Sequence, residues 1–455
     1  MQYLKLSLSA ISRVALASAF WIAVNVFHRV EVHGLQHDDG THPAYFAMCH
    51  RRDLDPMVEI PVVLGHRGWR ALAGNVRFAM RSDAFSPGFL ARIVLRPRWF
   101  ARFVRLIPLA AILRGLGVFP LENVHMRPAE VWIQDAIEIA GDVEIEDALT
   151  PVFLQQVVKY SDERGGQAKG QHLSHLLSWR YQQSLQDWQS VDIFREPLRG
   201  QMKRFVMAET RQELAHIARY IHDGGSLWGA PEGRISPDGT VGAVTAAAHR
   251  FVRDCPATLC VVPIAISYDF MTTRRSGIFV DVAPMIEHAP LVTQQTLDEQ
   301  LRDAWLLHMR FTCTLLATGF LVQASRTGSL VFALDDIAKC IEQQAKLLVG
   351  EGRLVDTRLQ HSRAARKLVI GYLRYAERQH LVKRTGRTSW IPTIGSLTIE
   401  VRPGEYGYRQ NPLAYAWNEL QELLSVTTSS ADPASETLEP VRDSTSKCDT
   451  MKDEN

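Results

Sequence analysis

Two stretches of the chain place reactive side chains at spacings that suit chemistry. In His50-Arg51-Arg52-Asp53-Leu54-Asp55 an imidazole stands five residues before a carboxylate. Imidazole is the side chain best matched to removing a hydroxyl proton near neutral pH. A carboxylate on its far ring nitrogen fixes the tautomer and stabilises the imidazolium that forms. In a continuous helix, residues five apart point about 140° away from each other. The pair can therefore meet only if His50 precedes a helix and Asp55 lies in its first turn. Asp53 is a rival carboxylate, and a loop histidine beside a helix cap is the bland reading of the same residues. The second stretch is Pro231-Glu232-Gly233-Arg234-Ile235-Ser236. A glycine-containing turn there offers backbone N–H groups and an arginine to a phosphate, although a plain charged turn has the same composition.

The elements that position these residues follow from periodicity. HRVEVHGL (28–35) alternates as a strand does, and AYFAMCH is a short apolar run that delivers His50 at its carboxyl end. Pro56 suits the first position of a helix capped by Asp55, continuing as MVEIPVVLGH until Pro61 kinks or shortens it. AETRQELAHIARYIHDGG is an amphipathic helix closed by two glycines, SLWGA a short strand, and TVGAVTAAAHRFVRDC a further helix. CVVPIAISY (260–268) is a β-branched run of the kind buried in parallel sheets. Strand and helix alternate from 28 to 282, which predicts an α/β domain. Its sheet should be mixed, largely parallel and flanked by helices. A hydrophobic N-terminal helix (1–27) precedes this domain (28–290), which carries a polar insertion at about 124–200. A mainly helical C-terminal region (291–425) follows, in which Arg363–Pro392 reads as a helix and a two-stranded hairpin, a small winged-helix-like unit. Residues 426–455 have the composition of a disordered tail.

Composition narrows the partners. Formal net charge is only +2, so bulk charge selects none. Its distribution is uneven: between Ile60 and Leu121 there are ten arginines, no lysine and one acid, Asp83. Such a belt attracts phosphate-bearing surfaces, and with Trp99, Phe100 and Phe103 interleaved it suits a lipid interface. No zinc finger or aromatic RNA-binding motif accompanies it, so no nucleic-acid partner is expected. The six cysteines form no C-x-x-C pair and no zinc-spaced cluster, which predicts buried thiols and no metal site. Leu6–Phe27 is long enough to span a bilayer. Arg13 and five serine or asparagine residues allow equally an interfacial helix or one packed on its own domain. A membrane-associating helix is the expectation, with no secretory signal.

Taken in order, the motifs resemble the glycerophospholipid acyltransferase family, of the bacterial lysophosphatidate acyltransferase type. That family has a His-x4-Asp block, a Gly-x-x-Phe-type strand, a Phe-Pro-Glu-Gly-x-x-Ser loop and a Val-Pro-Ile/Val strand. Matching residues here are His50 and Asp55, Gly117-Val118-Phe119-Pro120, Ala230 to Ser236, and Val262-Pro263-Ile264. The resemblance covers roughly 28–282. It implies transfer of a fatty acyl group from a coenzyme A or acyl carrier protein thioester to a hydroxyl of a glycerol phosphate or lysophospholipid. His50 would be the general base and Asp55 its orienting partner. Glu232, Gly233, Arg234 and Ser236 would help hold the acceptor. No metal or bound cofactor is implied, and the expected location is the cytoplasmic face of the inner or plasma membrane. Three departures bear on the acceptor. The family's arginine after the second block is replaced by Leu121-Glu122-Asn123, leaving Arg127 as the nearest candidate. Ala230 replaces phenylalanine, and the insertion is long.

Two other classes compete. A lipid ester hydrolase needs an exposed nucleophile, and Gly224-Gly225-Ser226-Leu227-Trp228-Gly229 misses the serine-elbow pattern by one position. A membrane-bound scaffold that kept the fold and lost activity is the non-enzymatic alternative.

Overall fold

The computed structural model describes residues 2–70, 75–81, 110, 113, 117–121, 126–162, 170–178, 181, 185, 188–328, 331–395, 397–399 and 407–426. Most of the arginine belt, Glu122 and the expected tail after 426 lie outside the described residues.

Nine strands carry the apolar runs: β1 (His28–His33), β2 (Ala44–Met48), β3 (Val76–Arg81), β4 (Val118–Leu121), β5 (Met126–Pro128), β6 (Trp188–Ser190), β7 (Ser226–Gly229), β8 (Cys260–Asp269) and β9 (Ser276–Val282). Seven form one sheet in the order β1-β9-β8-β2-β7-β3-β4. Every neighbouring pair is parallel except β8 and β9. The fold is therefore mixed α/β, with a mostly parallel sheet flanked by helices. Since β7, β2 and β8 run side by side in one direction, the loops leaving their carboxyl ends meet at one edge. Open α/β sheets bind ligands at that edge.

Successive side chains on a strand face opposite ways, and the cores follow suit. Tyr45 and Ala47 of β2 join one buried cluster, while Ala44, Phe46 and Met48 join the other. The second cluster is closed by α1 (Gln2–Phe27) and α2 (Asp55–Arg70). Helix α2 runs on past Pro61, and its break is at Gly68 (φ 55°), a conformation open to glycine. The described residues between 126 and 206 build a separate core from α3 (Ala129–Ala140), α4 (Pro151–Asp162), the start of α5 (Leu198–His222) and the antiparallel pair β5–β6. Helix α6 (Ala246–Arg253) starts at the Thr245 cap and is shorter than periodicity suggests, because Gly242 and Val244 give their N–H groups to Glu232 and Asp298.

The other face of the sheet packs α7 (Gln294–His308), α8 (Cys313–Arg326), α9 (Leu334–Gly350), α10 (Ser362–Arg378) and α11 (Pro412–Ser425). Among them, β10 (Phe332–Ala333), β11 (Val382–Arg384) and β12 (Ser389–Pro392) form a small antiparallel sheet in the order β10-β12-β11.

The α1 helix exists, but no helix among the described residues is long and apolar enough to cross a membrane. Its Arg13, Ala17, Phe20 and Val24 fall within about 60° of one another and face the body of the protein. There Arg13 donates to the Val76 carbonyl at 3.3 Å.

Candidate active site

The parallel strands bring three loops together. β2 ends at Met48 and leads to His50, β7 leads to Ala230–Ser236, and β8 ends in Tyr268-Asp269. His50 Nδ1 lies 2.9 Å from Asp55 Oδ2, with the histidine side chain 20% exposed and the carboxylate fully buried. The turn Arg51–Leu54 makes this possible, since it sets His50 before the helix and Asp55 in its first turn. The same Asp55 oxygen accepts the backbone N–H groups of Arg51 (2.7 Å) and Arg52 (2.8 Å). Asp55 Oδ1 accepts the Tyr268 hydroxyl. The carboxylate thus faces back into its own loop rather than capping the helix amides ahead of it. Asp53, the rival, points elsewhere: it accepts the Tyr408 hydroxyl at 2.6 Å and pairs with Arg409.

Burial and then the Asp55 charge keep the Tyr268 hydroxyl well above its usual pKa, so it remains a donor. One helical turn below Asp55, Glu59 is fully buried and accepts the Trp228 indole N–H at 2.9 Å. Burial, reinforced by Asp55, pushes Glu59 well above the carboxylate range. Cys49, next to His50, is a buried thiol pushed well up by desolvation, which argues against a nucleophilic role.

The second motif braces the first. Glu232 accepts the backbone N–H of His50 with one oxygen and that of Gly242 with the other, both at 2.6 Å. Ser236 donates its backbone N–H to the His50 carbonyl at 3.0 Å, and its hydroxyl donates to Thr240 O at 2.7 Å. Gly233 (φ 69°) makes the turn, leaving Arg234 exposed beside it. Arg127 is not brought here. It is buried in the 126–206 core, paired with Asp135 at 2.7 Å and stacked on Trp132, so its charge is already committed.

Burial pushes Glu232 up to about 7, against the pull of its two backbone donors. The folded chain therefore holds this proton where an exposed glutamate, at 4.5, has lost it. That contribution to stability is complete below about 4.5 and is lost as pH rises through about 7, amounting to about 3 kcal/mol. Denaturant unfolding of the wild type and Glu232→Ala at pH 4.5 and pH 8 should show the wild type losing about that much relative to the variant. A difference independent of pH would contradict it.

Residues of the C-terminal region complete the site. Arg51 is buried and pairs with Glu419 at 3.0 Å, while its main-chain carbonyl accepts the Tyr415 hydroxyl at 3.2 Å. Arg51 also donates to Gly239 O at 2.6 Å. Gly239 (φ 99°) lies so close to Tyr415 that a Cβ would sit 2.2 Å from its carbonyl oxygen. Helix α11 and the single turn Gly407–Gln410 thereby lie against both loops. None of this was foreseeable from motif spacing. Ser226, the candidate hydrolase nucleophile, is buried in β7 and accepts the Ala44 N–H at 3.0 Å, with no histidine among the described residues bonded to it.

No family model matches the chain, and no curated protein matches it. Solved structures similar to it include the 1-acyl-sn-glycerophosphate (LPA) acyltransferase of Thermotoga maritima. The identity is 9%, over 64% of this chain and 76% of that one, with a TM-score of 0.33. A likeness of that degree carries no argument about activity.

Proposed function

We propose that this protein is an O-acyltransferase that moves a fatty acyl group from a thioester of coenzyme A or acyl carrier protein to a hydroxyl of a glycerol phosphate or lysophospholipid. The observation that carries this reading is the His50–Asp55 pair, with the carboxylate held by three further donors. Nδ1–H on Asp55 leaves Nε2 unprotonated and able to accept the acceptor's hydroxyl proton. The oxygen attacks the thioester carbonyl, the C–S bond breaks, and the imidazolium returns its proton to the departing thiolate. Products are an ester and a free thiol. Glu232 and Ser236 hold the His50 backbone in place, and exposed Arg234 is available to an anionic substrate.

A lipid acceptor calls for contact with a bilayer, and α1 supports it. Ile11, Ile22 and Val26 fall within about 60° of one another, on the face away from the protein body, and are 65%, 62% and 62% exposed. They form an apolar stripe suited to lying in an interface rather than crossing it.

The test is incubation of the purified chain with acyl-coenzyme A and vesicles doped with a panel of lysolipids. We expect co-flotation with the vesicles and a new ester product. Release of free fatty acid without transfer would indicate a hydrolase, and no reaction with any acceptor or donor a scaffold.

A further inference from the structure

Arg52 sits in an unusual setting. It is 8% exposed, and its guanidinium carbon lies over four aromatic rings: Phe270 at 3.7 Å, Tyr408 at 4.3 Å, Tyr268 at 5.2 Å and Tyr415 at 5.5 Å from the centroids. Aromatic faces attract a cation, but they offer no lone pairs to its N–H groups. Among the described residues no carboxylate or carbonyl accepts from this side chain, and its Nε is buried without any partner. The two nearest acids in sequence are occupied. Asp53 holds Tyr408 and Arg409, and Asp55 holds the loop amides, His50 and Tyr268. A buried charge without a counter-ion is strongly disfavoured, and the fold keeps this one beside the His50–Asp55 pair. Arg52 is tied to that pair twice. Its backbone N–H bonds Asp55, and its guanidinium lies over Tyr268, whose hydroxyl bonds the same carboxylate.

We propose that Arg52 is the acceptor-binding residue that anchors the phosphate of the substrate whose hydroxyl His50 deprotonates. This inference rests on the acyl-transfer reading above. The planar guanidinium suits a phosphate oxygen pair better than an ammonium would. The aromatic box fixes its orientation without neutralising it. The loop that carries the base therefore also carries the anchor, so phosphate capture and hydroxyl placement are set by one rigid turn. Phosphate groups also occur on a coenzyme A donor; proximity to the base favours the acceptor as the source.

The experiment compares two acceptors that differ by a phosphate, lysophosphatidate and monoacylglycerol, with acyl-coenzyme A as donor and the full chain as enzyme. We expect Arg52→Gln to lower the ratio of kcat/KM for the phosphorylated over the unphosphorylated acceptor by about 10- to 10²-fold, the loss of a charge-assisted bond. The change should lie in the acceptor's KM. Arg52→Lys, which keeps the charge but not the fork, should lower the ratio by a smaller factor, and it decides the matter if Arg52→Gln does not fold. An unchanged ratio in the folded variant, or a rise confined to the KM of acyl-coenzyme A, overturns the assignment. Should the wild type acylate neither acceptor, the acyl-transfer reading fails separately. Calorimetry with glycerol 3-phosphate then judges Arg52 alone: binding weakened at least about 10-fold by Arg52→Gln supports it. Equal binding, or none to the wild type, overturns it.

Discussion

Replacing His50 with alanine should reduce acyl transfer to background, a loss of at least about 10²- to 10⁴-fold for a positioned general base, while the protein stays folded. The side chain is only partly enclosed, and removing it takes one hydrogen bond from Asp55. Three donors remain on that carboxylate, so no buried charge is stranded. The loop backbone is held independently, through the His50 N–H on Glu232 and the His50 carbonyl under Ser236. Initial rates beside a thermal melt check both halves of the expectation. Turnover near the wild-type value would remove His50 from the mechanism.

Asp55→Asn should cost at least about 10²-fold in turnover, and Asp53→Asn much less. The asparagine oxygen can still accept the Arg51 and Arg52 N–H groups, with the amide nitrogen turned to the Tyr268 hydroxyl. The loop can then keep its shape while the imidazolium loses its opposing charge. Asp53 contacts Tyr408 and Arg409 and does not touch His50. Steady-state rates of the two variants decide between the carboxylates. If Asp53→Asn were the more damaging, the assignment would be reversed.

Much of this was legible in the sequence because it rests on short-range physics. The apolar run ending at Cys49, the turn and Pro56 fix how His50 meets Asp55. β-Branched residues at 260–268 mark a buried strand. Other parts depend on distant partners. Asp55 looks like a helix cap, yet its carboxylate turns back to the Arg51 and Arg52 amides because Tyr268, 213 residues on, meets its other oxygen. Arg127 is the nearest arginine after the second motif, yet the core of the insertion claims it for Asp135 and Trp132. Glu232, expected to help hold the acceptor, also braces two loops, which only the adjacency of β2 and β7 could disclose. Arg52 carries no motif signal at all. Its box draws rings from β8, the residues just after it, and the C-terminal region.

The hold of residues 407–425 on the His50 loop also bears on how the molecule comes to be made. Asp53 and Tyr408 are 355 positions apart, and Arg51 reaches for Glu419 further still. Contacts of such long range form late, since the chain between them must first be ordered. On the ribosome, where domains fold as they emerge, the sheet can be assembled while the turn beyond β2 still lacks its clasp. Arg51 and Arg52 then have neither Glu419 nor the rings of Tyr408 and Tyr415 beside them. The groups that enclose the histidine's loop arrive only when translation has passed Glu419.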